Sequence, residues 1–261
     1  MSVALISDLH SNIEALTEVL ADIDSQKIDE IVCLGDLIGY GPNPAEVVDL
    51  AMGWKAVLMG NHDEAVIKDA YGFNPVARAA IRWTRSQLKP GLLAERTKKN
   101  RWEFLGNLGI THREDGALMV HGSPRDPTME YVLRSDCTEP GGRLPEKIRD
   151  IFQRFDRVCF VGHTHDPGVI AEDGFFRSPK ECSPSSDADY EFVFQPGRKY
   201  LVNVGSVGQP RDGDTRACYA IYSGDRVRWR RVAYDYRRTM DKIYGQSELD
   251  RRAGERLAVG R

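Results

Sequence analysis

The residues of this sequence that are able to do acid–base or metal chemistry lie in five short motifs, and each motif directly follows an apolar run. Five of the six histidines lie in them, beside acidic or amide residues: Asp8-Leu9-His10, Gly35-Asp36, Gly60-Asn61-His62-Asp63, His121-Gly122 and Gly162-His163-Thr164-His165. In an open α/β sheet, ligands bind beyond the carboxyl ends of the strands. If the strands are mainly parallel, we expect these side chains to converge on one edge, where the glycines let the backbone turn sharply or approach closely.

Each motif taken alone has an ordinary explanation. Asp-x-His is common in surface loops, and Asn-His-Asp can cap the helix that follows it. A histidine at a strand end, such as His121, is usually satisfied within the core or rim, and His163 with His165 could be an exposed pair. Five such motifs in order, each at the end of a predicted strand, are hard to assemble by chance. The set therefore favours a functional site.

The elements that must position these motifs alternate between strands and helices. Apolar runs predict strands over 3–7, 31–35, 55–59, 118–121 and 158–161. Helices are predicted after a capping box formed by Ser11 and Glu14, from Pro44, through much of 63–108, and over 144–155. Such alternation predicts a sheet packed between helices.

The rest of the chain changes character. Further strands are predicted over 169–176, 190–194, 200–204, 218–222 and 226–232. The polar segment 178–189 is rich in serine and proline, which indicates a surface loop. The fold class is therefore α/β, a single sandwich whose second half is mostly β.

As an ordered set, the motifs resemble those of the calcineurin-like metallophosphoesterase superfamily, in its small bacterial and archaeal type. The set spans Asp8 to His165, and the later Asn203-Val204-Gly205-Ser206-Val207-Gly208-Gln209-Pro210-Arg211 is similar to the stretch that follows in those members. The resemblance implies a β-sandwich flanked by helices. We predict one domain over 1–246 with a helical, cap-like insertion at about 63–108, and a C-terminal tail over 247–261 that is mobile from 251.

The resemblance also implies roles for single residues. Two divalent metal ions would each have their own ligands and share a carboxylate: Asp8, His10 and His165 for the first, Asn61, His121 and His163 for the second, and Asp36 bridging both. Carboxylate, imidazole and amide donors without thiolate suit Mn, Fe, Ni or Zn. Two ions about 3.5–4 Å apart can clamp the phosphate oxygens and the attacking hydroxide of an in-line displacement.

His62 lies outside the implied ligand set. It would protonate the leaving oxygen or steady the transition state, because imidazole titrates close to neutrality. Asp63 would either orient His62 or cap the following helix.

The substrate is less sharply indicated than the reaction. Protein Ser/Thr phosphatases of the same superfamily carry Gly-Asp-x-x-Asp-Arg-Gly, where this chain has Tyr40 in place of the arginine. We therefore expect a phosphodiester, a nucleotide or a dinucleoside polyphosphate, with Arg125, Gln209 and Arg211 as candidate substrate-binding residues; a solvated loop is the ordinary alternative for the arginines. The other functions that stay open are a phosphomonoesterase or protein Ser/Thr phosphatase and a non-catalytic metal-binding scaffold.

Composition limits the partners. The formal net charge is −3, so nothing global points to nucleic acid or to an anionic membrane surface. No apolar stretch approaches the roughly 18 residues of a membrane span, and the five scattered cysteines suggest neither disulfides nor a thiolate zinc site. A cytoplasmic protein acting on a small phosphoester or nucleotide is expected.

The basic residues of 75–108, with Trp83 and Trp102, suggest either a lid that attracts phosphate or an ordinary basic helical face.

Overall fold

Strands dominate the centre of the molecule. The computed structural model describes residues 2–139 and 141–261, and within them the strands are β1 (Val3–Ile6), β2 (Ile31–Cys33), β3 (Ala56–Val57), β4 (Thr111–Glu114), β5 (Ala117–Val120), β6 (Val158–Val161), β7 (Gly168–Ala171), β8 (Phe176–Arg177), β9 (Asp189–Val193), β10 (Tyr200–Asn203), β11 (Ala217–Tyr222) and β12 (Arg226–Val232).

These strands form two mixed sheets of six. The strand order is β3-β2-β1-β11-β12-β9 in the first sheet and β4-β5-β6-β10-β7-β8 in the second. Each sheet contains three adjacent parallel strands, β3, β2 and β1 in one and β5, β6 and β10 in the other. Each sheet therefore has its own set of parallel carboxyl ends, whereas the motifs were expected to converge on one edge of a single sheet.

Helices cover the outer faces of both sheets. They are α1 (Ile13–Ser25), α2 (Pro44–Ala51), α3 (Asn61–Ile67), α4 (Pro75–Leu88), α5 (Arg96–Gly106), α6 (Glu146–Phe152), α7 (Pro179–Cys182), α8 (Tyr236–Tyr244) and α9 (Arg251–Glu255), with single 3-10 turns at Arg134–Asp136 and Arg256–Ala258. In the predicted insertion, α4 begins with Pro75 after Asn74, whose side chain accepts a hydrogen bond from the Ala77 amide.

The side-chain alternation of the strands separates three apolar layers. Leu5 and Phe160 point into the space between the sheets, where they share a core with Trp229. Their sequence neighbours point outward, because successive side chains of a strand face opposite sides. Ile6 therefore packs under the first sheet's helices, and Cys159 packs under α6. The result is an α/β/β/α sandwich, so the predicted fold class is confirmed.

Two local predictions were wrong. Asn12, rather than Ser11, caps α1: its Oδ1 accepts from the Ala15 amide, while Ser11 adopts a left-handed backbone conformation. The predicted strand 169–176 is broken by a turn with Gly174 at positive φ, so that β7 and β8 pair antiparallel. The hairpin strand β4 was not predicted.

The C-terminal segment 247–261 packs against the body of the protein. Leu249, Ala253 and Leu257 are buried in one cluster with Ile243 of α8 and Trp83 of α4. The expected mobility of 251–261 is therefore replaced by a short helix and a 3-10 turn on an apolar patch. The domain boundary at residue 246 stays a prediction.

No helix within 2–139 and 141–261 has the length and apolar character needed to cross a membrane.

Candidate metal centre

The predicted site residues meet where the parallel strands of both sheets end. From the first sheet, Asp8 and His10 follow β1, Asp36 follows β2, and Asn61 and His62 open α3, which begins four residues after the end of β3. The second sheet contributes residues that follow β5 and β6, namely His121, His163 and His165. All eight side chains are at most 5% exposed. We call these loop residues the rim.

The backbone of the rim is unusual. Nine non-glycine residues of the described chain have positive φ. Five are rim residues, namely Asp8, His10, Asp36, His163 and His165, and two more, Ser11 and Tyr40, lie close to them in the chain. Each such residue costs on the order of 1–3 kcal/mol and persists only where the surroundings determine it. At the rim, this conformation turns consecutive ligand side chains toward a common point.

Close approach of neighbouring strand ends requires glycine at two positions next to rim residues. A Cβ added to Gly60 would lie 2.1 Å from Asp36 Oδ1, and one added to Gly162 would lie 2.6 Å from Asp8 Oδ2. The backbone amides of these segments then reach the carboxylates. His62 N donates to Asp36 Oδ1 at 2.8 Å, and His163 N donates to Asp8 Oδ2 at 3.0 Å. The glycines predicted to allow close approach do so.

One group of donor atoms consists of Asp8, His10 and His165. His165 Nε2 lies 3.1 Å from both His10 Nε2 and Asp8 Oδ1. Donors about 3 Å apart are what results when each lies about 2.1 Å from a single ion at an angle near 90°. The three residues therefore have the spacing of ligands to one ion.

A second group consists of Asn61, His121 and His163. His121 Nε2 lies 3.0 Å from His163 Nδ1 and 3.2 Å from Asn61 Oδ1. Asp36 lies between the two groups: its Oδ2 is 3.7 Å from His10 Nε2 and 3.5 Å from His121 Nε2. Its position is the one expected of a bridging carboxylate.

The proton positions of His10 and His165 test whether a cation fits. In each ring, Nδ1 faces a backbone carbonyl, that of Ile38 for His10 and that of Gln209 for His165. A carbonyl only accepts, so Nδ1 carries the proton. Because burial lowers the pKa of both rings, they are neutral and their facing Nε2 atoms carry lone pairs. Two lone pairs 3.1 Å apart repel, and a shared cation removes that repulsion.

The second group is similarly prepared. His163 Nε2 donates to the Met129 carbonyl at 3.2 Å, which leaves Nδ1 free to bind a metal. Burial lowers the pKa of His121 to about 4, and burial with the neighbouring His121 lowers that of His163 to about 2. Both rings are therefore neutral at pH 7, the form in which imidazole is a ligand.

Burial raises the pKa of the Asp36 carboxyl well above its usual range, and the nearby Asp63 and Asp8 raise it further. An unpaired carboxylate at this position destabilises the protein unless positive charge is close. The chemistry of this donor set fits a pair of divalent ions.

His62 lies beside the two groups in an aromatic surround. Its ring centroid is 4.6 Å from that of Tyr40, 4.9 Å from that of His10 and 5.0 Å from that of Phe73. Burial and the charge of Arg211 lower the pKa of His62 well below its usual range. The ring also lies within 4.8 Å of donor atoms of His10 and Asp36, so it borders the metal positions directly.

Asp63 holds the backbone around His62 rather than the ring. Its carboxylate accepts from the amides of Gly60 at 3.0 Å and of Leu37 and Ile38 at 3.3 Å. Burial raises the pKa of Asp63 to about 7 in spite of these bonds. Asp63 was predicted either to orient His62 or to cap the following helix, and its hydrogen bonds are those of a helix cap. The bonds to Leu37 and Ile38 also tie α3 to the loop after β2.

A protein-family model described as the calcineurin-like phosphoesterase superfamily domain matches residues 1–226. The chain belongs to this superfamily. An uncharacterized protein of Methanocaldococcus jannaschii is 35% identical, over 99% of this chain and 98% of that protein. A symmetrical bis(5'-nucleosyl)-tetraphosphatase of Paracidovorax citrulli is 30% identical over 58% of this chain and 56% of that protein.

Solved structures agree with this membership. A metallophosphoesterase from Sphaerobacter thermophilus is similar with a TM-score of 0.80 and 34% identity, covering 100% of this chain and 99% of that chain. A hypothetical protein from Pyrococcus horikoshii has a TM-score of 0.74 at 20% identity, over 100% and 98% of the two chains, a likeness that shows the fold alone. The resemblance to the calcineurin-like superfamily is confirmed.

Of the predicted substrate-binding residues, Gln209 and Arg211 lie beside His165, a proposed metal ligand. The Gln209 carbonyl accepts from His165, and its side-chain Oε1 accepts from Arg211 Nη2 at 2.8 Å. The guanidinium of Arg211 lies 5.9 Å from the Tyr40 ring centroid, and its Nε is buried without a hydrogen-bond partner among the described residues. Arg211 therefore has a buried donor without a partner close to Tyr40.

Arg125 is placed differently. Its guanidinium lies 3.3 Å from Glu130 and 3.2 Å from Asp150, and it lines a surface cavity with residues of α6. Two carboxylates already neutralise this side chain. Among the described residues, it has no contact with the proposed metal ligands.

The loop after β5 contains site residues that the sequence pattern did not indicate. The Tyr131 ring stacks on His163 with centroids 3.7 Å apart, and the preceding Met129 supplies the carbonyl for the same histidine. Neither residue belongs to a periodic run or a recognisable motif. Both are partly exposed, so this loop forms one wall of the entrance to His163.

Proposed function

We propose that this protein hydrolyses a phosphoester at a centre of two divalent ions, either Mn, Fe, Ni or Zn. Asp8, His10 and His165 hold the first ion, Asn61, His121 and His163 hold the second, and Asp36 belongs to both. The single observation that supports this most strongly is the position of Asp36 Oδ2, 3.5–3.7 Å from a ring nitrogen of each group. With Asp36 counted twice, each ion has four protein donors.

The protein's own residues then have distinct tasks. When bound, the ions supply Lewis acidity and lower the pKa of water for in-line attack on phosphorus. His62 borders both Asp36 and His10 but is needed by neither group to complete four donors. It is therefore available to donate a proton to the leaving oxygen, provided that the negative charge of a bound phosphoester raises its pKa, which burial and Arg211 lower in the free protein. Its backbone amide donates to Asp36 and so holds the residue beside the proposed ions. The surrounding Tyr40 and Phe73 rings exclude water from this histidine.

Arg211 is the group best placed to bind a substrate phosphate. Its unpartnered Nε and its hydrogen bond to Gln209 give an oriented cation with donors to spare. A single arginine held over Tyr40 supports a phosphodiester, a nucleotide or a dinucleoside polyphosphate more than a monoester dianion, which favours a bidentate arginine. The tetraphosphatase relative from Paracidovorax citrulli is consistent with the last of these classes.

Two measurements test this proposal together. Bound metal is determined on the purified protein, and hydrolysis of bis(p-nitrophenyl) phosphate and p-nitrophenyl phosphate is followed with added Mn²⁺. We expect two ions per chain, turnover that depends on metal and is abolished by chelator, and a higher rate with the diester. Bound metal without hydrolysis of any phosphoester in a broad panel would instead favour a metal-binding scaffold.

A further inference from the structure

Beside the metal centre, the molecule has a cavity whose charge is opposite to that of the rim. Its volume is about 440 Å³, and it lies between α3, α4 and the loop that connects them. Its charged lining residues are Arg78, Arg82, Arg85 and one exposed carboxylate, Asp69. The arginines are spaced i, i+4 and i+7 along α4, so they share one face of this helix. We call this space the arginine cavity.

The three arginines differ from most of the protein's other arginines in their partners. Arg101, Arg125, Arg134 and many others lie within 4.0 Å of a carboxylate. Within the described residues, no carboxylate lies that close to Arg78, Arg82 or Arg85. Their positive charge is therefore not neutralised internally.

Two of these arginines are oriented by the backbone of the loop. Arg78 Nη2 donates to the Phe73 carbonyl at 3.0 Å, and Arg85 Nη1 donates to the Lys68 carbonyl at 2.6 Å. Arg82 makes no hydrogen bond to any described residue and is exposed. Between the two held ends, the Tyr71 side chain is 83% exposed at the cavity wall. Fixed guanidinium groups with free donors are well suited to bind phosphate oxygens.

The arginine cavity is also close to the metal centre. Ala65 lines the cavity four residues after Asn61 on α3, a distance of about 6 Å along the helix axis. The loop that forms the cavity wall ends at Phe73, whose ring contacts that of His62. A ligand in this cavity would therefore be bound one helical turn from the metal ligands.

We propose that the arginine cavity binds a chain of phosphate groups, as found in tripolyphosphate or in a nucleoside triphosphate. Three guanidinium groups against one carboxylate leave an excess of positive charge that a multiply charged anion would neutralise. The cavity volume lies within the range of small-molecule sites, roughly 300–1,000 Å³. Tyr71 is placed to stack on a base if the phosphate chain has a nucleoside attached. This binding does not depend on whether the metal centre is catalytic.

The test compares two arginines of the same predicted insertion. Arg82→Glu reverses a charge inside the cavity, and Arg96→Glu reverses an exposed charge on α5 that lies outside it. Binding of tripolyphosphate to the metal-loaded full chain is measured by titration calorimetry in one buffer for the wild type and both variants. Any effect of tripolyphosphate on the metal centre is common to all three proteins, so only their difference is interpreted.

We expect Arg82→Glu to weaken tripolyphosphate binding by about tenfold or more, since it removes a charge-assisted hydrogen bond and puts a repelling carboxylate in its place. Arg96→Glu should bind as the wild type does, and hydrolysis of bis(p-nitrophenyl) phosphate should be unchanged in both variants. If ATP binds more tightly than tripolyphosphate and this difference disappears in Tyr71→Ala, the cavity also contacts the base through Tyr71. Equal binding of tripolyphosphate by Arg82→Glu, Arg96→Glu and the wild type would overturn the proposal.

Discussion

The rim and the helices α4 and α5 carry their charged side chains in opposite ways. At the rim, Asp8 and Asp36 are buried and surrounded by neutral imidazole rings. On the two helices, charged groups lie at the surface, either paired as Arg101 is with Asp49 or without a carboxylate partner as Arg82 is. A buried charge costs several kcal/mol unless it is compensated. A buried charge at the rim would therefore be compensated by a bound cation, whereas charge on α4 and α5 is tolerated without one.

The backbones of the two regions differ in the same sense. Five of the seven proposed metal ligands have positive φ, whereas α4 and α5 are regular helices of 14 and 11 residues. The positive φ values at the rim are strained and persist because the surrounding sheets fix this backbone, whereas no residue of α4 or α5 has a positive φ. Substitutions are therefore expected to be severe at the rim and mild on α4 and α5.

The largest effect is expected for Asp36→Asn. Asparagine keeps the oxygen that accepts from His62 N but replaces the proposed bridging oxygen, so hydrolysis should fall to the uncatalysed rate and bound metal should be lost. The same change removes an unpaired buried carboxylate from the metal-free protein. Its melting temperature after chelator treatment should therefore equal or exceed that of the wild type, while added metal should stabilise only the wild type.

The matched control for this prediction is Asp49→Asn, which removes a carboxylate from α2 at its contact with α5. It should retain both metal and turnover. Full activity in Asp36→Asn, or a metal-free variant that melts well below the metal-free wild type, would contradict the view that this carboxylate is held for the metals at the expense of stability.

His62→Ala is expected to have the next largest effect. Loss of a general acid lowers the rate by typically about 10²–10⁴-fold, and metal content should stay at the wild-type level because both ions keep four donors. His112→Ala is the control, since His112 lies outside the rim beside Glu114. Metal analysis decides the role of the residue: an empty centre in His62→Ala would make this histidine a ligand.

The rim could be predicted because each of its ligands lies within four residues after the end of a strand. A strand end fixes where a side chain lies without any knowledge of loop geometry, and parallel strands place all these ends together. The stacking of Tyr131 on His163 could not be found in this way. It joins two loops more than 30 positions apart in the chain, neither of which has a periodic pattern.

Other errors had signals that the sequence did contain. Asp115-Gly116 is a typical two-residue hairpin turn, and both residues have positive φ between β4 and β5. The strand that leads into this turn, β4, was missed because its residues are polar. Similarly, the spacing of Leu249, Ala253 and Leu257 is that of a helix face, but the terminal position of this segment suggested a mobile tail.

Leu257→Ala tests how the C-terminal segment joins the two regions. Leu257 packs with Trp83 of α4 and also lines a small cavity behind His10 and Tyr40. Truncating a buried leucine costs about 2–5 kcal/mol, which should appear as a lower free energy of unfolding in urea. Val259→Ala, at a position 53% exposed, should change it by less than about 0.5 kcal/mol. Equal effects of the two substitutions would show that the segment does not stabilise the fold.

The smallest effect is expected for the ion pair between Asp49 and Arg101. The pair is bidentate, with Nε–Oδ1 and Nη2–Oδ2 distances of 2.7 and 2.6 Å, and it joins α2 to α5. The Asp49 side chain is 49% exposed, so solvent screens the attraction and the coupling energy should be about 0.2–1 kcal/mol. A double-mutant cycle with Asp49→Asn and Arg101→Gln, measured by urea unfolding, gives this energy directly.

The coupling energy should shrink at high salt, because exposed charges are screened, and hydrolysis should be unchanged in all variants. A salt-independent coupling above about 2 kcal/mol would mean that charge on these helices is structural after all, and the contrast with the rim would be lost.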